Sequence, residues 1–157
     1  MNVFKQLLLI GFVSIVLALA FNQWNVSGIS ILEFNPVQSV IKEAAAENLP
    51  TITMEEAWRH FEEGTAVFVD ARPRDVFAQG RVEGAFSIPE HEIAESLPAF
   101  SEMIPTFEKV IVYCDGEECL ASLHVANSLR ENGYEDVVVF FGGWKHWLDA
   151  GYRVEWD

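Results

Sequence analysis

Residues 109–133 read KVIVYCDGEECLASLHVANSLRENG, and three patterns in this stretch together indicate the fold. The apolar run 109–113 is short and uninterrupted, which is typical of a strand that is buried on both faces of a parallel sheet. Residues 121–132 predict a helix, and a glycine follows them where the helix should end. The loop between strand and helix contains both cysteines of the chain, Cys114 and Cys119.

The same alternation of strands and helices extends from Thr51 to the C-terminus. Thr53 and Glu56 form a capping-box pair at the start of a helix. Apolar runs predict strands at 66–70, 84–89, 109–113 and 136–140, and helices at 53–63, 90–100 (broken near Pro98), 121–132 and 143–150. This order predicts an α/β fold with a parallel sheet flanked by helices. Sites in such sheets form at the carboxyl ends of strands, where both Asp70 and Cys114 fall.

The N-terminal segment 1–32 differs in character, because Lys5 is its one charged residue. We expect a hydrophobic helix here, acting either as an uncleaved transmembrane anchor or as a signal segment cleaved after Ala20. The apolar residues that resume at Val26 favour the anchor. In either case Lys5 on the cytoplasmic side would place the rest of the chain outside the cytoplasm, on the periplasmic side if it is bacterial.

The remaining chain is divided into two parts. Residues 33–50 predict a linker with a short helix, and residues 51–157 predict one domain. The formal net charge of −14 argues against nucleic acid and anionic membrane surfaces as partners. Two cysteines are too few for a disulfide scaffold, so a packed core must hold the domain together.

Cys114 is the candidate for chemistry. A loop between a strand and a helix can turn its backbone N–H groups inward and form a cradle for an anion. A thiolate held in such a cradle has a lowered pKa and is nucleophilic, as a persulfide intermediate requires. The alternative is an inert cysteine buried at the end of a strand.

Further motifs point to one family. Residues 53–89 contain a helix, a strand that ends in Asp70-x-Arg72, and the segment Gly-Arg-Val-Glu-Gly-Ala; VIVYC follows at 110–114, and NGYEDVVVFFGGWKHWLDAG at 132–151. In this order, and over about two thirds of the chain, they resemble the rhodanese homology domain. The resemblance implies a parallel sheet with helices on both sides, and Cys114 as the residue that carries sulfur as a persulfide. Asp70 and Arg72 are expected to support the structure.

The chain departs from the family pattern in two places. Arg81 stands where the family usually has histidine, and Cys119 and Leu120 stand where its loop often ends in Arg-Ser. The loop residues that we assign to the site are Asp115, Gly116, Glu117, Glu118, Leu120, Ala121 and Ser122. Their acidic members should raise the pKa of Cys114 and repel thiosulfate. A less anionic sulfur donor, such as a protein persulfide, is therefore the better candidate.

Cys119 has two interpretations. It can pack at the start of the helix, or it can act as a resolving thiol that pairs with Cys114. Three functions stay open: a sulfurtransferase acting through Cys114, a thiol-disulfide redox protein using both cysteines, and a non-catalytic binding module.

Two other chemistries are disfavoured. Cys114, Cys119 and His124 could supply zinc ligands, but their positions are unlikely to converge, so we expect neither a metal nor a cofactor. Phosphatases of this fold use a Cys-x5-Arg loop, and position 120 is Leu here.

Overall fold

The computed structural model describes residues 2–24, 36–116 and 119–157. Contacts divide the chain into a unit up to residue 35 and a unit of Pro36–Asp157. The described part of the first unit is helix α1 (Val3–Trp24). Among the described residues, none of the helices combines the length and the apolar character that a membrane span requires. The end of the predicted segment 1–32 and the start of the predicted linker lie outside the described residues.

The second unit alternates helices and strands. In chain order its elements are α2 (Pro36–Ala46), β1 (Thr51–Ile52), α3 (Met54–Glu63), β2 (Val67–Asp70), α4 (Arg74–Ala78), β3 (Arg81–Val82), β4 (Phe86–Ser87), the 3-10 turn Glu90–Glu92, α5 (Ile93–Met103), β5 (Val110–Tyr113), α6 (Ala121–Glu131), β6 (Val137–Phe140), α7 (Gly143–Asp149) and β7 (Val154–Glu155). A parallel sheet has the order β1-β6-β5-β2-β4, and β3 pairs antiparallel with β7. The predicted α/β class is confirmed.

The central strands are apolar on both faces because helices cover both. Val110 and Val112 of β5 face one hydrophobic cluster, which includes residues of α2, α5 and α6. Ile111 and Tyr113 face the other cluster, where Trp147 of α7 is fully buried among aromatic rings. An uninterrupted apolar run is what a strand covered on both faces requires.

The start of α3 follows the predicted capping box. The Thr53 side chain accepts from the Glu56 N–H at 3.2 Å, and the Glu56 carboxylate accepts from the Thr53 N–H at 2.9 Å. The bond from the Thr53 N–H lowers the pKa of Glu56, because it favours the carboxylate form. Gly64 ends the helix with φ +61°.

The structure differs from the sequence prediction in three respects. Helix α5 continues through Pro98 instead of breaking there, because Leu97 and Phe100 on either side of the proline are buried in the core. Strand β4 has two residues, and the short strands β1, β3 and β7 were not predicted. Val40, Ala44 and Leu49, assigned to a linker, are buried in the core, so residues from Pro36 onward contribute to the compact unit.

Candidate active site

Cys114 directly follows β5, the middle strand of the five. It is 4% exposed, and Tyr113 before it lies opposite Asp70 at the end of the neighbouring strand β2. The Ala71 N–H donates to the Tyr113 carbonyl at 2.9 Å, which continues the pairing to the edge of the sheet. The structure therefore brings Asp70 and Cys114 to one edge, as the alternation of strands and helices predicts.

The start of α7 holds the first residues of the cysteine loop. The Trp144 N–H donates to the Cys114 carbonyl at 2.8 Å, and the Lys145 N–H donates to the Asp115 carbonyl at 3.0 Å. Gly143 has φ +59°, and a Cβ atom there would lie 2.5 Å from the Cys114 carbonyl oxygen and 2.9 Å from the Gly116 nitrogen. A side chain at position 143 would therefore displace the loop, so glycine is required for this close approach.

A buried ion pair between Asp70 and Arg72 lies next to the cysteine loop. The guanidinium of Arg72 donates to both carboxylate oxygens of Asp70 at 2.6–3.1 Å and to the Gly80 carbonyl at 2.7 Å. It lies 4.8 Å from the Trp144 ring centroid, and its remaining nitrogen is 3.9 Å from the Asp115 carboxylate. Burial alone would lower the pKa of Arg72, but the bonds and charge of Asp70 outweigh that effect and raise it. The predicted supporting pair thus links the sheet to the loop.

Tyr113 extends the buried polar group. Its hydroxyl accepts from the Val82 N–H at 3.1 Å. The pKa of Tyr113 is well above its usual value, because the ring is buried and the charge of Asp70 opposes a phenolate. The phenol is therefore neutral. Its hydrogen bond connects Val82, which is fully buried in β3, to the end of β5.

The structure contains a disulfide between Cys114 and Cys119, with Cα atoms 6.2 Å apart. This separation lies within the ordinary range for disulfides. Cys119 is partly exposed, and its N–H donates to the Gly116 carbonyl at 3.1 Å. Glu117 and Glu118 lie outside the described residues, so the predicted cradle of inward-facing N–H groups stays a prediction.

The other residues assigned to the site surround the start of α6. Leu120 is exposed and Ala121 begins the helix. Ser122 is buried, and its hydroxyl donates to the Cys119 carbonyl at 3.5 Å. Asp115 points to solvent, with 73% of its side chain exposed. Of the three acidic loop residues that the sequence analysis assigns to the site, Asp115 is the one that lies among the described residues.

Arg81, which stands at the family's histidine position, binds the C-terminal segment. Its guanidinium lies 2.7 Å from a carboxylate oxygen of Glu155 and 2.7 Å from one of Asp157. It also stacks on the Phe77 ring, 4.6 Å from the centroid. These contacts give Arg81 a structural role beside the β3–β7 pair.

His124, the candidate zinc ligand, contacts a carboxylate instead. His124 Nδ1 pairs with the Glu90 carboxylate. Within residues 2–24, 36–116 and 119–157, no group of three or more His, Cys, Asp or Glu side chains is arranged to hold a metal ion.

Sequence reasoning missed the residues that fix the loop from α7. The sequence does not indicate that Gly143 and Trp144 contact the backbone of Cys114. The available signal was the Gly-Gly pair that begins two residues after the predicted strand 136–140. Its position beside Cys114 depends on β6 being the neighbour of β5, which the sequence does not state.

Comparisons with known proteins agree with this geometry. Residues 53–150 match the family described as Rhodanese-like domain. The chain is 32% identical over 104 residues to a thiosulfate sulfurtransferase GlpE of Actinobacillus succinogenes, covering 66% of this chain and 88% of that protein.

Solved structures share the fold. The human single-domain sulfurtransferase TSTD1 is 24% identical with a TM-score of 0.56, and the match covers 64% of this chain and 96% of that one.

 A Rhodopseudomonas palustris protein of unknown function, described as a possible tyrosine phosphatase, is 26% identical with a TM-score of 0.58, and the match covers 82% of this chain and all of that one.

The family match spans more than half of the chain, and it includes β2, the Cys114 loop and the whole of α7. This chain therefore belongs to the rhodanese-like domain family.

Proposed function

We propose that this protein is a sulfurtransferase that carries sulfane sulfur as a persulfide on Cys114. The observation that carries the proposal is the position of Cys114, which is buried at the carboxyl end of the central strand and fixed by the start of α7. The 32% identity to a thiosulfate sulfurtransferase supports the same chemistry.

The proposed reaction begins with the reduced protein. The Cys114 thiolate attacks the outer sulfur of a donor such as thiosulfate, a sulfur–sulfur bond forms on Cys114, and sulfite leaves with the electron pair of the broken bond. The hydrogen bond from the Trp144 N–H to the Cys114 carbonyl holds the backbone of the nucleophile while its sulfur changes partners.

We propose further that the physiological donor carries less negative charge than thiosulfate. Asp115 adjoins Cys114 and is exposed, and the whole chain has a formal net charge of −14. Both features repel a small dianion, and the repulsion is strongest at low ionic strength. A persulfide on a partner protein or on a small thiol fits this surface better.

The disulfide favours a second candidate function, a thiol-disulfide redox protein that exchanges electrons through Cys114 and Cys119. Such a protein would cycle between dithiol and disulfide without retaining sulfur. The disulfide also supports our proposal that the domain works in an oxidising compartment outside the cytoplasm. Alkylation of free thiols in freshly fractionated cells tests that location, since a cytoplasmic protein would be found reduced.

Intact mass spectrometry tests the leading proposal. The full chain is reduced with dithiothreitol, desalted without oxygen, and exposed to thiosulfate or to a polysulfide. We expect Cys119→Ser to gain one sulfur atom, and Cys114→Ser to gain none. Failure of Cys119→Ser to gain sulfur from either donor would contradict sulfur transfer, and a readily reversible disulfide in the wild type would then favour the redox function.

A further inference from the structure

We propose that Cys119 resolves the Cys114 persulfide within the same molecule and releases the transferred sulfur as hydrosulfide. This inference rests on the proposed function, because it needs a persulfide on Cys114. It assigns a product and a role for the second cysteine.

The disulfide identifies the atom that Cys119 can reach. In a persulfide the Cys114 Sγ is the inner sulfur, and the transferred atom is the outer one. Cys119 Sγ is bonded to Cys114 Sγ in the structure, so the inner sulfur lies within its reach. Attack there expels the outer sulfur, whereas attack on the outer sulfur would only move the persulfide to Cys119.

The electrons and atoms of this step balance. The Cys119 thiolate forms a bond to Cys114 Sγ, the bond between the inner and outer sulfurs breaks, and the outer sulfur leaves as HS⁻. The two cysteines are oxidised to the disulfide by two electrons, and the sulfane sulfur is reduced by the same two electrons to sulfide.

Proximity favours this reaction over transfer to an external acceptor. Cys114 is anchored by β5 and α7, while Cys119 lies two residues before α6, so both ends of the loop are attached to the folded domain. A thiol held in this way has a high effective concentration toward its partner.

Regeneration needs a reductant, for which we name a dithiol. Cys119 is partly exposed and Cys114 is buried, so an external thiolate reaches the sulfur of Cys119 first. Attack there forms a mixed disulfide on Cys119 and frees the Cys114 thiolate. The second thiol of the reductant then frees Cys119, and the protein returns to the form that accepts sulfur.

A single-turnover experiment tests the inference. Reduced wild type, Cys119→Ser, Cys119→Ala and Cys114→Ser are each mixed with the donor that loads Cys119→Ser, and both intact mass and released sulfide are measured. Circular dichroism checks that each variant is folded. We expect the wild type to lose two hydrogens and release about one sulfide per chain above the Cys119→Ser background, as one resolving step requires.

The outcomes separate the two proposals. A wild type that keeps its persulfide as long as Cys119→Ser does would overturn the inference and leave sulfur transfer standing. A disulfide that forms without sulfide would also overturn it, because the cysteines would then be oxidised directly. If neither Cys119 variant gains sulfur, the proposed function itself fails.

Discussion

The two ends of the loop between β5 and α6 are held in different ways. At the first end, Cys114 and Asp115 each accept a hydrogen bond from the start of α7, and Gly143 packs against their backbone. At the second end, the described bonds of Cys119 are local, to Gly116 and from Ser122. The first end is thus fixed by distant parts of the chain, and the second by its neighbours. This difference agrees with the roles that we propose, in which Cys114 carries sulfur and Cys119 displaces it.

The largest loss of stability should come from breaking the Asp70–Arg72 ion pair, which lies next to the Cys114 end of the loop. Asp70→Asn leaves the Arg72 guanidinium buried at 3% exposure without its charged partner. We expect a loss of about 3–5 kcal/mol in the free energy of unfolding, measured by urea denaturation. A loss below about 1 kcal/mol would show that the pair does not support this end of the loop.

Two glycine variants test whether Gly143 is required for its close approach to the Cys114 backbone. Gly143→Ala should lose about 2–4 kcal/mol, because it combines a left-handed backbone with a Cβ that meets the Cys114 carbonyl. Gly151→Ala is the matched control: it has φ +72° and nothing within 4 Å of the added Cβ. We expect it to lose only about 1–2 kcal/mol. Equal losses in the two variants would argue against the close approach at Gly143.

The second end should affect stability through the disulfide. We expect oxidised wild type to exceed Cys119→Ser in unfolding free energy by about 2 kcal/mol, because a short loop is closed in the unfolded chain. The gap should disappear when dithiothreitol is added to both proteins. A gap that persists under reduction would instead indicate that the Cys119 side chain contributes by packing.

The smallest effect on stability should come from Asp115→Asn, since this side chain is 73% exposed. We expect a change within about 0.5 kcal/mol. Loading of Cys114 by thiosulfate should nevertheless become a few-fold faster at low salt, and the gain should shrink as salt screens the charge. Asp149→Asn, at the exposed far end of α7, is the control and should leave the rate unchanged. Equal rates for both variants would contradict charge repulsion at the loop.

Local patterns made the central part of the fold predictable. The run before Cys114 is apolar because β5 is buried on both faces, and the Thr53–Glu56 cap involves residues only three apart. Contacts between distant residues were not predictable. Arg81 binds Glu155 across 74 positions, and the approach of Gly143 to Cys114 depends on the order of strands in the sheet.

The most direct test of the central claim is a time course of intact mass on reduced wild type after mixing with donor, with free thiols alkylated at each point. We predict that wild-type protein with one extra sulfur appears first and is then replaced by the Cys114–Cys119 disulfide as sulfide is released. If the disulfide forms without a preceding sulfur adduct, and equally fast with and without donor, resolution of a Cys114 persulfide by Cys119 is contradicted.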